Sequence, residues 1–248
     1  TSSVINNLKL RTSYGLAGNN LSAGYFSYQQ FYTNSSTFYK GNPPAGNSTV
    51  VEGTLANPNL TWEKSKKFNF GIDATLLNNK IGISADYFNN RVYDALIIRQ
   101  ANAGSILGAT RPLENLGKYK YSGYELSVNY KAHTGDVSWF VTGNGALLQT
   151  KVINIDEGTW PASYLYRTGK PIGQPFGFIA EGFFQNQQEI NNSPKVEGNI
   201  PQPGDLKYKD VNGDNLINDL DKTAITKGKP SINYGLTYGA SWKGFDIS

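Results

Sequence analysis

The chain has 248 residues, a formal net charge of +4, and hydrophobic, charged and aromatic shares of 38%, 17% and 13%. Its basic residues are scattered rather than massed, which gives nucleic-acid binding no electrostatic footprint, and with no cysteine neither a disulfide framework nor a thiolate site can form. No run of about 18 apolar residues could cross a bilayer as a helix, yet alternating strands have low mean hydropathy, so a membrane β-barrel stays open.

Period-two alternation then recurs from one end of the chain to the other. LKLRTSYGL (8–16) alternates loosely, and a long connection, roughly 18–65, follows. KFNFGIDATLL sets Phe68, Phe70, Ile72, Ala74 and Leu76 against Asn69, Gly71, Asp73 and Thr75. After a tight turn at 76–80, IGISADY repeats the pattern with Ile81, Ile83, Ala85 and Tyr87. A second long connection (93–118) leads to YELSVNY, with Tyr124, Leu126, Val128 and Tyr130 on one side. A short turn at 132–136 precedes VSWFVTGNGAL, in which Phe140 interrupts an otherwise polar face. The longest connection, 151–230, ends at INYGLTYGASW, a turn at 242–244, and FDIS, the start of a seventh strand. Such alternation predicts strands.

From alternation alone, a soluble antiparallel sheet with one face on a core is the commoner outcome. Two features favour a membrane barrel instead. Several segments run to about ten residues, where soluble strands average about five or six and a tilted membrane strand needs about 9–11. Traced up and down, every short turn falls at one end and every long connection at the other, as in outer-membrane barrels. Tyr130, Trp139 and Trp242 sit beside the short turns, and Phe68, Tyr124 and Tyr234 sit nearer the long connections, consistent with two interfacial belts. The expected fold is all-β, an antiparallel transmembrane β-barrel in contact with outer-membrane lipid. Because a barrel needs at least about eight strands, the chain is expected to be a segment of a longer polypeptide.

The long connection contains DVNGDNLINDLD, 210–221. Counted from Asp210, it offers Asp210, Asn212 and Asp214 at positions 1, 3 and 5, the Leu216 carbonyl at 7, Asn218 at 9 and Asp221 at 12, the order in which a calcium loop presents its oxygen ligands. Asn215 replaces the usual glycine at position 6, tolerable because asparagine visits left-handed backbone, and Asp221 replaces the longer glutamate. With no flanking helices, a structural Ca2+ ion of modest affinity is expected, roughly 10⁻⁴–10⁻³ M, rather than a sensor; a turn rich in Asn, Asp and Gly with no ion is the competing reading. Catalysis has little footing. His133 is the only histidine, GKP at 169–171 lacks the spacing of a phosphate loop, and Glu63, Glu125 and Glu181 are scattered.

Six stretches carry a family resemblance: LKLRTSYGLAGN (8–19), NPNLTWEKSKKFNFGID (57–73), DYFNNRVYDALI (86–97), NLGKYKYSGYELSVNY (115–130), GKPIGQPFGFIAEGFFQNQQEI (169–190) and the run from Pro203 to Ser248. In order and over nearly the whole chain, they resemble the C-terminal half of SusC/RagA-like TonB-dependent outer-membrane transporters. The resemblance implies that 1–248 is part of a barrel of about 22 strands with an N-terminal plug, and that 151–230 is an extracellular loop region. It also implies a TonB complex as the energising partner, a SusD-like surface lipoprotein as lid, and oligosaccharide or peptide cargo. Inward Asn, Ser, Thr and Gly would give a wet lumen able to hydrogen-bond such cargo. Tyr164, Tyr166, Phe176 and Phe178 could stack on cargo, though loop aromatics more often pack loops together. The rival readings are a secreted, calcium-stapled β-domain that adheres to glycans, and a passive porin.

Overall fold

The computed structural model describes residues 4–20, 23–99, 109–226 and 230–248. Two units divide the chain: Thr1–Gly158 with Pro230–Ser248, and Thr159–Lys229.

The first unit contains β1 (Ile5–Asn19), β2 (Tyr32–Lys40), β3 (Ala45–Glu52), β4 (Glu63–Leu76), β5 (Ile81–Ile98), β6 (Leu113–Thr134) and β7 (Val137–Asn154). In the second lie β8 (Phe176–Gly177), β9 (Ala180–Phe183), β10 (Lys195–Val196), β11 (Leu206–Tyr208), β12 (Leu216–Ile217) and β13 (Thr223–Ala224). Back in the first unit, β14 (Ser231–Trp242) and β15 (Phe245–Ile247) complete one antiparallel sheet, ordered β1-β4-β5-β6-β7-β14-β15. Each strand pairs with its predecessor in the sheet through a simple meander, while β2 and β3 form a separate hairpin.

The strands outrun the sequence-based expectation. β5, β6 and β7 have 18, 22 and 18 residues, so the connection expected at 93–118 shrinks to 99–112, of which 100–108 lie outside the described residues. β5 continues by means of a bulge: its register with β6 shifts between Val92 and Ala95, and Asp94 takes a left-handed φ of 56°. Side chains satisfy the disturbed backbone, as Glu63 Oε1 accepts from Leu96 N–H at 2.9 Å and Asn115 Nδ2 donates to the Asp94 carbonyl at 2.7 Å. A bulge therefore bends the strand where the periodicity of the sequence reads as its end.

All three short turns lie at one end of the sheet. Leu77, Asn78 and Asn79 all have positive φ. Gly135 opens a two-residue turn with φ 60°, and Lys243–Gly244 forms another with φ 46° and 91°, the positive values that match the twist of paired strands. Register fixes the two faces. Leu10, Ile72, Ala85, Leu126, Gly145 and Tyr234 are successive partners across six strands on one face. Arg11, Gly71, Asp86, Glu125, Ala146 and Asn233 line up on the other.

The apolar face is uncovered. Leu10 is 65% exposed, Leu236 69% and Tyr234 89%. Buried hydrophobic residues in this unit are confined, among the described residues, to Ala95 and Val152. A water-soluble sheet of this size would hide such a face against a core; a barrel wall presents it to lipid. From Phe68 to Leu76 the apolar stripe of β4 extends about 27 Å at about 3.4 Å per residue, or about 20 Å in height for a tilt of about 40°. Aromatic pairs flank it. Phe68, Tyr87 and Tyr124 form a chain of ring contacts at 6.5 and 5.2 Å near the long-connection end, and Tyr130 meets Trp139 edge-on at 5.2 Å near the turns.

The second unit is built from short two-stranded pairs: β8 with β13, β9 with β11, and β10 parallel to β12. A five-residue helix, α1 (Gln187–Asn191), is capped by the Asn186 side chain, which accepts from Glu189 N–H. Among this unit's described residues Leu165, Phe184 and Ile217 are the buried hydrophobic ones, and the polar Gln174 and Asp221 are buried as well.

Candidate functional site

On the polar face of the sheet, four residues from three strands converge. Arg11 lies opposite Gly71, with Asp73 diagonal to it on β4, and Asp86 lies opposite Gly71 on β5. The guanidinium grips Asp73 with two bonds, Nε to Oδ2 at 2.7 Å and Nη2 to Oδ1 at 2.9 Å, and reaches over β4 to Asp86 Oδ2 at 2.8 Å. Ser84 Oγ donates to Asp73 Oδ1 at 2.8 Å. Gly71 makes the reach possible, since a Cβ there would collide with Asp86 Oδ1 and lie 2.7 Å from Arg11 Nη2. The fork geometry suits guanidinium and carboxylate.

Beside this cluster a depression of about 390 Å³ is bounded by Ser84, Asp86, Glu125, Ser127, Asn144 and Asn233. Ser127 Oγ donates to Asn144 Oδ1 at 2.9 Å. The wall thus offers hydroxyl, amide and carboxylate groups to whatever fills the space before it, with no nucleophile–base pair among them. Phe140, the residue that broke the polar pattern, lies over Gly239, whose Cβ would come within 2.7 Å of the ring; Phe88 covers Gly123 in the same way. Each ring fills the gap left by the glycine opposite it. The polar cluster was not visible in the sequence as a site, because only the register brings Arg11 beside Asp73 and Asp86.

In the second unit, the loop 210–221 closes on itself. Asp210 accepts from Gly213 N–H at 2.6 Å and Asn215 N–H at 2.8 Å. Asp214 Oδ1 accepts from Leu216 N–H at 2.8 Å. Asp221, with no exposed surface, accepts from Val211 N–H at 2.8 Å through Oδ1 and from Asn218 N–H at 2.9 Å through Oδ2. Asn218 turns its side-chain oxygen to Leu220 N–H, capping a single 3₁₀ turn at Asp219–Asp221. Asn215 has φ 64°, the left-handed backbone that position 6 requires.

Electrostatics tie the loop together. Burial alone would push the Asp210 carboxyl up, but the N–H groups of Asn215, Gly213 and Asp214 outweigh it and hold the group below the usual carboxylate range. Tyr164 donates to the Leu220 carbonyl at 2.7 Å. Its phenol is raised by burial and then by the negative charges of Asp221, Asp214 and Asp210. The three carboxylates therefore act on a common neighbour. They are not drawn to one point, however: among the described residues no group of three or more His, Cys, Asp or Glu is gathered as a metal centre. The donors are all oxygen and suit a hard cation in type and order, while most of their side-chain oxygens already accept a backbone N–H.

The loop aromatics pack internally. Tyr166 Oη accepts from Trp160 N–H at 3.1 Å, Arg167 covers Phe176 at 4.9 Å, and Phe178 contacts Tyr208 at 5.2 Å. His133, at the end of β6, has its Nδ1 2.8 Å from Ser138 Oγ, a cross-strand contact at a turn.

A family model described as TonB dependent receptor-like, beta-barrel, matches residues 3–246. TonB-dependent receptor P3 of Formosa agariphila is 27% identical over 260 residues, which cover 100% of this chain and 25% of that protein. TonB-dependent receptor SusC of Bacteroides thetaiotaomicron is 25% identical over 257 residues, covering 99% and 24%. The chain thus spans about a quarter of the length of the curated relatives it matches. Among solved structures, the RagAB peptide transporter superposes with a TM-score of 0.71 at 23% identity, over 99% of this chain and 26% of that one. The RagAB importer in its "open-open" state gives 0.66 at 24%, over 98% and 25%.

Proposed function

Because the chain belongs to the TonB-dependent receptor β-barrel family, we propose that it forms part of the wall of an active importer for oligosaccharides or peptides, energised through a TonB complex and lidded by a SusD-like surface lipoprotein. The protein resides in the outer membrane, and its family is one of receptors and transporters rather than enzymes. One observation carries the reading: a seven-stranded sheet leaves its apolar face bare while the other face holds Arg11, Asp73, Asp86, Glu125 and Ser127. The bare face suits lipid, and the polar face suits a wet lumen that offers hydrogen bonds to hydroxyls or peptide groups. The bare face also disfavours a secreted adhesin, whose sheet would need a core. The description of SusC as a TonB-dependent receptor supports the energised part of this reading, and that of RagAB as a peptide transporter supports a peptide cargo.

The deciding experiment measures uptake of labelled oligosaccharides and peptides by cells with and without the full-length gene. Import of one class that stops when the proton-motive force is collapsed supports the proposal. Uptake that persists under the uncoupler would replace it with a passive porin.

The loop at 210–221 is proposed to hold one calcium ion through Asp210, Asn212, Asp214, the Leu216 carbonyl and Asp221. The oxygen-only donor order and the left-handed Asn215 support this. The ion's role would be to neutralise crowded carboxylates in a unit whose own core is small. Millimolar calcium should then slow proteolysis within 159–229, and Asp210→Ala with Asp214→Ala should abolish the effect while the barrel survives. Protease sensitivity indifferent to both calcium and chelator would leave the loop as a hydrogen-bonded turn.

A further inference from the structure

The lipid-side face of the sheet carries a row of cations. Lys66 of β4 pairs in register with Arg91 of β5, Arg91 with Lys120 of β6, and Lys120 with Lys151 of β7. Side chains alternate along a strand, so all four share the face of Phe68, Phe70, Tyr87, Tyr124 and Leu147. Neighbouring strands lie about 4.8 Å apart, and like charges set directly opposite one another repel. Among the described residues none of the four has an ion-pair partner. Lys66 rests against the Tyr93 ring at 5.3 Å, and the acidic residue beside the row, Asp94, is taken by Lys64 at 2.9 Å. A shallow depression lined by Lys66, Arg91, Tyr93, Lys118 and Lys120 lies along it.

The position of the row narrows what it could meet. Lys66 lies two residues beyond Phe68, while Arg91 and Lys120 lie four beyond Tyr87 and Tyr124, always toward the long connections. At about 3.4 Å per residue and a tilt of about 40°, that puts the charges roughly 5–10 Å above the aromatic belt, within the headgroup layer. The long connections face outward in such barrels, so the layer in question belongs to the outer leaflet. At the turn end no comparable row exists among the described residues; there Lys243 pairs with Asp136 at 3.3 Å.

We propose that Lys66, Arg91, Lys120 and Lys151 form a docking site for the phosphate groups of an outer-leaflet lipid. Unopposed cations in register need anions between them. A lipid bearing more than one phosphate supplies them while its acyl chains lie along the apolar face directly below. Arg91 can fork onto two phosphate oxygens, and the three lysines act as point charges around it.

The test uses the full-length protein, purified in detergent and freed of native lipid, with unfolding followed as the loss of its compact unboiled gel band on heating. Bisphosphorylated lipid A should raise the unfolding temperature, and the dephosphorylated lipid should not. The variant Lys66→Gln/Arg91→Gln/Lys120→Gln/Lys151→Gln should keep the compact band but lose the rise, with apparent affinity for the lipid weaker by roughly a thousandfold, given about 1 kcal/mol per surface cation. Lys66→Arg/Lys120→Arg/Lys151→Arg should retain it. Should the four-site variant fail to fold, Lys66→Gln/Lys151→Gln, which trims only the ends of the row, should show a reduced rise. An equal rise in wild type and glutamine variants would overturn the site. So would an equal rise with inorganic phosphate, which would point to a free-anion site. Absence of any compact unboiled band would overturn the barrel reading and this site with it.

Discussion

A single methyl group at Gly71 would occupy the path by which Arg11 crosses β4 to Asp86. Gly71→Ala should therefore push Nη2 away from Asp86, leaving Arg11 held to Asp73 through Nε, and lower the temperature at which the purified full-length protein loses its compact gel band; Arg11→Gln should do so without steric cause. Both effects should be modest, because Arg11 and Asp73 are each about a third exposed, at 35% and 37%, and solvent screens such pairs. In the second unit, acid sensitivity follows from two carboxyls held low. The Gln185 N–H and then the Lys207 ammonium, 3.1 Å away, lower Glu189, and backbone N–H groups lower Asp210 against the opposing pull of burial. A depressed folded-state pKa stabilises above the unfolded value of about 4 and is lost as pH falls through the folded one. Limited proteolysis of 159–229 with an acid-active protease should thus be flat from neutrality to about pH 4 and rise below it. A rise already complete by pH 5 would contradict that assignment.

At the level of strands, the sequence declared most of what the structure contains. Alternation located the six long strands, and glycine and asparagine located the short turns, because both signals are local. Strand ends were less visible. The bulge at Asp94 breaks the period of two although pairing continues, so β5 and β6 each reach well into the expected connection. Phe140 interrupts the polar face where Gly239 lies opposite it. The ring covers backbone that would otherwise be bare, so Phe140→Ala should cost about 1 kcal/mol, the upper range for a cross-strand pair, read as a lower denaturation midpoint of the folded barrel. For the same reason the Arg11 cluster was illegible: its members are distant in sequence, and register alone unites them. The acidic loop was the opposite case. Its spacing is local and so could be read directly, including the left-handed Asn215, whereas the spending of its carboxylates on backbone N–H groups depends on how the turn closes.

Across the whole wall, the two faces should respond oppositely to the same change. Leu126 is half exposed on the apolar face near the middle of the band, and Ser127 follows it on the polar face. Leu126→Arg should cost about 2–4 kcal/mol in bilayer-refolding measurements, and Ser127→Arg far less. Equal costs would mean that the faces had been assigned wrongly. The meander also has a consequence for how such a protein diversifies. β7 and β14 run side by side, with Leu148 directly opposite Ser231, so the chain departs and returns across a single strand spacing after an excursion of some eighty residues. The closing entropy of a loop grows only slowly with its length. The whole segment between the two strands can accordingly be treated as an exchangeable cassette: grafting in a relative's version, or a short glycine-rich bridge, should leave every pairing in the sheet in place, so the segment is free to change faster than the wall from which it departs.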